Sequence, residues 1–148
     1  MTIIVTGAKQ LKAKLKMLGA GMGDAILGGV ILTANQVRTD AIKSIQNKSG
    51  GRQVQRSRQG GGTYTHTASA TGGAPNTDTG TLVSSIAVEK VGDSTFHIGS
   101  NLDYSAFLEF GTSKMGARPW LQPAMQANSK NLISNIQKTV DIYIGQLA

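Results

Sequence analysis

The chain has 148 residues, 39% hydrophobic and 16% charged, with a formal net charge of +7 and a pI near 9.9. That is the length of one domain with its own core, too apolar for a disordered tail and too poor in charge for a coiled coil. With no cysteine, disulfides, thiolate metal sites and cysteine nucleophiles are excluded, which suits a reducing cytosol.

The basic balance favours contact with nucleic acid or acidic protein surfaces, without by itself establishing DNA binding. The start of the chain has no charged region leading into an apolar core, so no signal peptide is expected. Residues 25–34, the longest apolar run, are too short to span a bilayer, and Asp24 blocks their extension. A soluble chain with no membrane partner is expected.

Residues 2–5 form a β-branched run before Gly7, a predicted first strand. Residues 8–18 place Leu11, Leu15 and Leu18 at helical spacing, with Lys9, Lys12, Lys14 and Lys16 as the solvated face. Gly19, Gly21 and Gly23 then interrupt the pattern. Asp24 stands where a dinucleotide fingerprint needs its last glycine, so no phosphate loop is read there.

A long helix is predicted from residue 22 or 24 to about 46, burying Ile26, Leu27, Val30, Ile31, Ala34, Val37, Ala41, Ile42 and Ile45. Inside it, Gly28 and Gly29 each cost up to about 1 kcal/mol against alanine. Either the helix tolerates them, or another backbone approaches closely.

Residues 49–76 change character: no acid occurs between Asp40 and Asp78, while Lys43, Lys48, Arg52, Arg56 and Arg58 accumulate. Residues 52–59 and 63–68 alternate on either side of Gly60-Gly61-Gly62. Two readings fit, a projecting basic hairpin or a loop that orders on assembly, and the alternation favours the hairpin. Lys48, Arg52, Arg56 and Arg58 are candidate contacts to DNA phosphates or to an acidic partner, with Tyr64 and His66 as candidate stacking groups. A basic loop that simply stays solvated is the competing reading.

The run Asn76-Thr77-Asp78-Thr79 offers N-caps for a short helix over 79–85. Residues 85–91 and 95–99 read as a hairpin around Gly92-Asp93, with Ile86, Val88, Val91, Phe96 and Ile98 facing the core. Residues 104–124 then read as a structural joint. Asp103 is expected to cap a helical turn, Tyr104, Phe107, Leu108 and Phe110 to form its apolar face, and Gly111 to end it in the left-handed conformation.

Pro119 is expected to start a final helix to about residue 146, with Leu121, Met125, Leu132, Ile136, Val140 and Tyr143 or Ile144 as its buried stripe. Trp120 would lock the preceding loop onto the body. Glu109 and Arg118 are expected to pair, or Arg118 to bind carbonyls of the loop 112–117. The expected fold class is α+β, a small, mostly antiparallel sheet packed on the long helix and a C-terminal helix. It would form one domain, 1–148, with 49–76 as an inserted arm.

His66 and His97 are far apart with no carboxylate cluster, and Ser84, Ser85 and Ser113 lack a base. No catalytic centre, metal site or cofactor is expected, and the chain is read as a non-enzyme.

Two segments carry a resemblance. The first is Asp78-Thr79-Gly80 with Leu82 and Ser85-Ile86, preceded by Pro75. The second runs from Tyr104 through Glu109-Phe110-Gly111-Thr112-Ser113-Lys114-Met115 to Ala117-Arg118-Pro119-Trp120-Leu121 and Pro123-Ala124. In order and spacing, between two long helices, they resemble the bacteriophage tail-component family, the neck or tail-completion proteins that join a DNA-filled head to its tail. Trp120 replaces the phenylalanine more often found after Arg-Pro there, and the segment 50–73 is longer than the family's short connection.

The resemblance implies a non-enzymatic virion component, present in the host cytoplasm during assembly. It implies a homo-oligomeric ring, a hexamer, around the DNA channel. Its partners would be connector or stopper proteins, tail terminator or tail tube proteins, and the genome DNA. The alternative from the residues alone is a small basic protein that binds nucleic acid without sequence preference.

Overall fold

The computed structural model of the chain describes residues 8–47 and 49–147, and side chains from Lys16 onward among them. The predicted strand at 2–5, the side chains of Leu11 and Leu15, and Lys48 lie outside the described residues. The elements are α1 (Ala8–Gln46), β1 (Gly51–Ser57), β2 (Thr63–Ser69), α2 (Thr81–Ser85), β3 (Ile86–Lys90), β4 (Phe96–Ser100), α3 (Asp103–Phe110), α4 (Gln122–Ser129) and α5 (Asn131–Leu147). The class is α+β. The strands form two separate two-stranded antiparallel sheets, β1-β2 and β3-β4, instead of one.

The described residues group into two compact units. One is α1 up to Thr33 with the chain from Lys130 onward; the other is Ala34–Ser129.

In the first unit the expected break at Gly19, Gly21 and Gly23 is absent, and α1 runs through it. The reason lies in α5, which packs antiparallel along this half of α1. A Cβ on Gly21 would overlap the Tyr143 ring, and one on Gly29 would lie 2.6 Å from the Ile136 backbone nitrogen. These two glycines remove side chains where the helices meet most closely, so close packing offsets their poor helix propensity. A Cβ on Gly28 would lie at an ordinary 3.7 Å from Thr139 Cγ2, and Gly19 and Gly23 face open space. Thr33 Oγ1 donates to the Gly29 carbonyl at 2.9 Å and accepts from Asn135 Nδ2 at 3.0 Å, while the Tyr143 hydroxyl donates to the Met17 carbonyl.

The second unit holds the apolar core. Val37, Ala41 and Ile45 of α1 pack with Leu82, Ile86, Trp120 and Ala124, and Ile98, Leu102, Leu108 and Leu121 close around them. β3 and β4 pair from Ile86↔Ser100 to Lys90↔Phe96, which sets Val88 opposite Ile98. Val91 does not join the core: it sits in the turn, half exposed, where its N–H donates to the Thr95 carbonyl at 3.0 Å. The short helix starts at Thr81, later than the predicted 79, because Gly80 precedes it in the left-handed conformation with φ +81°.

The final helix differs in two ways from the expected single span. It starts at Gln122, three residues after Pro119, and Lys130 separates α4 from α5. Near the break, Asn128 and Ser129 side chains donate to the Ala124 and Gln126 carbonyls of their own helix at 2.9 Å, competing with its continuation. Pro123 falls in the first turn of α4, where a missing N–H costs little.

The glycine contacts give opposite expectations for two alanine substitutions. Gly29→Ala should destabilise the chain by roughly 1–3 kcal/mol through overpacking, whereas Gly19→Ala, facing open space, should stabilise it by up to about 1 kcal/mol. Urea denaturation of the two variants beside the unaltered chain checks this. Equal effects would contradict the close approach.

Candidate functional site

The joint is built around one carboxylate. α3 presents Ser105, Leu108 and Glu109 inward, and Glu109 is 8% exposed. Its Oε2 accepts the backbone N–H groups of Trp120 at 2.8 Å and Leu121 at 3.0 Å, and its Oε1 accepts that of Gln122 at 2.8 Å. Three successive N–H groups form an anion-binding concavity, and they belong to the start of α4, where the helix dipole also favours negative charge. That arrangement fixes where α4 begins. It explains why Pro119 lies ahead of the helix.

The expected Glu109–Arg118 pair is not formed. Both Glu109 oxygens go to backbone N–H groups, and Arg118 Nε donates to the Ser69 carbonyl at 3.1 Å, at the end of β2 and not in the loop 112–117. The Arg118 N–H donates to the Leu108 carbonyl at 2.7 Å. Trp120, 3% exposed, directs Nε1 to the Ser105 carbonyl of α3 at 3.5 Å.

Asp103 sits in the first turn of α3 without capping it; the N-cap is Leu102, whose N–H donates to Ser100 Oγ at 3.1 Å. Gly111 ends α3 with φ +76° but extended ψ, and a Cβ there would lie 2.7 Å from the Met115 carbonyl oxygen. Only glycine fits. Thr112 closes the loop by bonding Met115 through both backbone groups, at 2.8 and 3.3 Å.

A second network ties the β1-β2 hairpin to the segment before α2. Asn76 Oδ1 accepts the Ser49 N–H at 2.8 Å, and Asn76 Nδ2 donates to the Ser49 and Thr67 carbonyls, both at 2.8 Å. Asp78 accepts the Tyr64 hydroxyl hydrogen bond and lies 3.7 Å from Arg56 Nε and 3.5 Å from His66 Nδ1. Arg58 stands over the Tyr64 ring at 5.7 Å.

The hairpin register opposes Arg56 to Tyr64 and Val54 to His66, placing them on one face. Gln53, Gln55 and Ser57 opposite Thr67, Thr65 and Thr63 form the other, uncharged face. Two of the three candidate arginines are therefore engaged within the chain, and Arg52 is exposed. The remaining motif residues are structural in place. Thr79 Oγ1 accepts the Thr81 N–H at 3.4 Å, Gly80 makes the left-handed turn, and Leu82 is in the core. Ser85 Oγ donates to the Leu82 carbonyl at 2.8 Å.

Beside Asp78 lies a cleft of about 330 Å³ with Ile45, Leu82 and Leu108 in its wall and Arg56, His66 and Arg118 among its polar lining.

The aromatic residues of α3 form an exposed stripe. Tyr104, Phe107 and Phe110, three residues apart, are 43%, 54% and 78% exposed, and only Leu108 of the expected apolar face packs inward. Helical spacing marks a stripe but not whether core or partner covers it; the second stripe, Ser105-Leu108-Glu109, was the inward one. Lys16–Gln46 is long and apolar enough to cross a bilayer by length and composition, a test that core helices also pass. Within that span, Arg38 Nε donates to the Ile86 carbonyl at 2.8 Å and Asp40 accepts from Asn128 at 2.8 Å, both inside the second unit.

The joint, the tethered hairpin and the bare aromatic stripe belong to an α+β protein. The model of the bacteriophage HK97-gp10 tail-component family matches residues 9–111, more than half of the chain, and the chain belongs to that family. It is a structural tail component of a phage virion. The match takes in Asp78–Ser85 and all of α3, and ends at Gly111 before the loop and α4. No curated protein and no solved structure matches the chain.

Two expectations follow from the geometry. Glu109→Ala strands three N–H groups in a buried site and should cost roughly 3 kcal/mol or more, against roughly 1 kcal/mol for Arg118→Ala, which loses one hydrogen bond from its side chain. Chemical denaturation decides; equal costs would contradict the role given to Glu109.

The hydrogen bond to Asp78 raises the Tyr64 pKa above its ordinary 10.0, helped by desolvation and the Asp78 charge, with Arg56 and Arg58 opposing. The folded chain thus holds that proton more tightly than the unfolded one. The contribution to stability is complete below the ordinary value and is lost as pH rises through the folded-state pKa. Ultraviolet titration should show a late-ionising tyrosine that Asp78→Asn returns toward the ordinary value.

Proposed function

We propose that the chain is the subunit of a neck ring that completes the tail and joins it to the head connector, with genome DNA passing through the channel. Family membership carries this reading, and the bare aromatic stripe on α3 supports it. Such a protein acts by geometry. Its interfaces are completed on docking against connector or stopper proteins on one side and tail terminator or tube proteins on the other.

The subunit is read as one domain, residues 1–148, with 49–76 as its arm. In this reading the joint sets the direction of α4, and the rigid loop 112–117 shapes a subunit contact. The ring is six-fold. The hairpin meets protein more than DNA, since Arg56 is held by Asp78 and Arg58 by Tyr64. That engagement weighs against the alternative of a clamp for phosphate backbones, which needs its cations free.

Native mass spectrometry with negative-stain electron microscopy of the purified protein tests the proposal. A closed ring is expected. A monomer that binds DNA tightly, with affinity falling steeply as salt rises, would contradict it and favour the nucleic-acid-binding reading.

A further inference from the structure

The helical pair of the first unit has little apolar core of its own. Among its described residues the buried side chains are Thr33 and Asn135, with Gly29 beside them. Large aliphatic side chains are instead in water: Met17, Ile26, Ile31 and Leu32 on α1, Ile133, Ile142 and Ile144 on α5. Two helices alone rarely bury enough surface to stand in water.

Their distribution is informative. Met17 and Ile26 are about two and a half helical turns apart, as are Ile133 and Ile142, so each pair lies on opposite flanks of its helix. Gly21, Gly29, Ile136 and Tyr143 hold the seam between those flanks. The pair is therefore a layer with bare aliphatic groups on both broad faces. A single external partner, or a two-fold dimer through one face, would leave the other face wet.

We infer that each helical layer is covered, on each of its two faces, by the same layer of a neighbouring copy of this chain. Unlike faces meet, so the contact is heterologous, the kind that builds closed rings rather than dimers. This rests on the ring reading and names the surface that makes the ring. Each face is on the order of 26 Å by 20 Å. With side-chain relief that approaches the roughly 800 Å² per partner buried in specific interfaces.

Two variants, Ile133→Glu and Ile142→Glu, test the inference, each checked for unchanged circular dichroism. In sedimentation each variant alone should be monomeric. An equimolar mixture should give a capped heterodimer, since each supplies the face the other lacks. If both variants still assemble like the unaltered chain, the ring reading stands and this contact is wrong. A mixture that stays monomeric overturns it too. An unaltered chain that is monomeric, whether or not it floats with phosphatidylcholine vesicles, overturns this contact and leaves the ring reading to assembly on the connector or tail. Should glutamate unfold the helices, Ile133→Ala and Ile142→Ala should each weaken assembly about tenfold or more, and unchanged assembly overturns the contact.

Discussion

A single buried carboxylate sets the geometry of the second unit. Glu109 reaches three consecutive backbone N–H groups, and in doing so fixes the end of α3, the path of the loop and the start of α4. Charge-assisted bonds to backbone donors are strong because the donors cannot turn away. Trp120 then fills the space behind the carboxylate, and Arg118 extends the same joint to the end of β2. With the inward side of α3 occupied in this way, its aromatic side chains are left exposed.

Much of this was legible in the residues, and the rest was hidden for identifiable reasons. Alternation around Gly60-Gly61-Gly62 and around Gly92-Asp93 marked both hairpins, and Gly111 marked the end of α3. The continuity of α1 was not visible because the cost of Gly21 and Gly29 is local, whereas its compensation comes from Tyr143 and Ile136, more than a hundred residues later. Glu109 and Arg118 looked like a natural pair by charge and separation. Sequence carries no sign that the backbone of 120–122 would offer a better partner than a guanidinium. The direction of the α3 stripe was hidden because periodicity reports amphipathicity, and an exposed apolar stripe has the same period as one in a core.

The same distinction runs through the whole chain. The second unit closes its core around Ile45, Ile86 and Trp120 and still exposes three aromatic side chains. Among its described residues the first unit closes almost none. A subunit of a larger assembly can leave apolar burial unfinished, because neighbours complete it, and the tail-component family supplies that setting. The basic hairpin fits the same picture, since most of its cationic groups are already held by Asp78 and Tyr64.

The proposal is one of place, that this protein sits as a ring where head meets tail. Electron microscopy of intact virions carrying an electron-dense label on the chain tests it most directly. The account predicts one labelled band per particle, at the junction between head and tail. Label spread along the tail shaft, or virions that carry none, would contradict it.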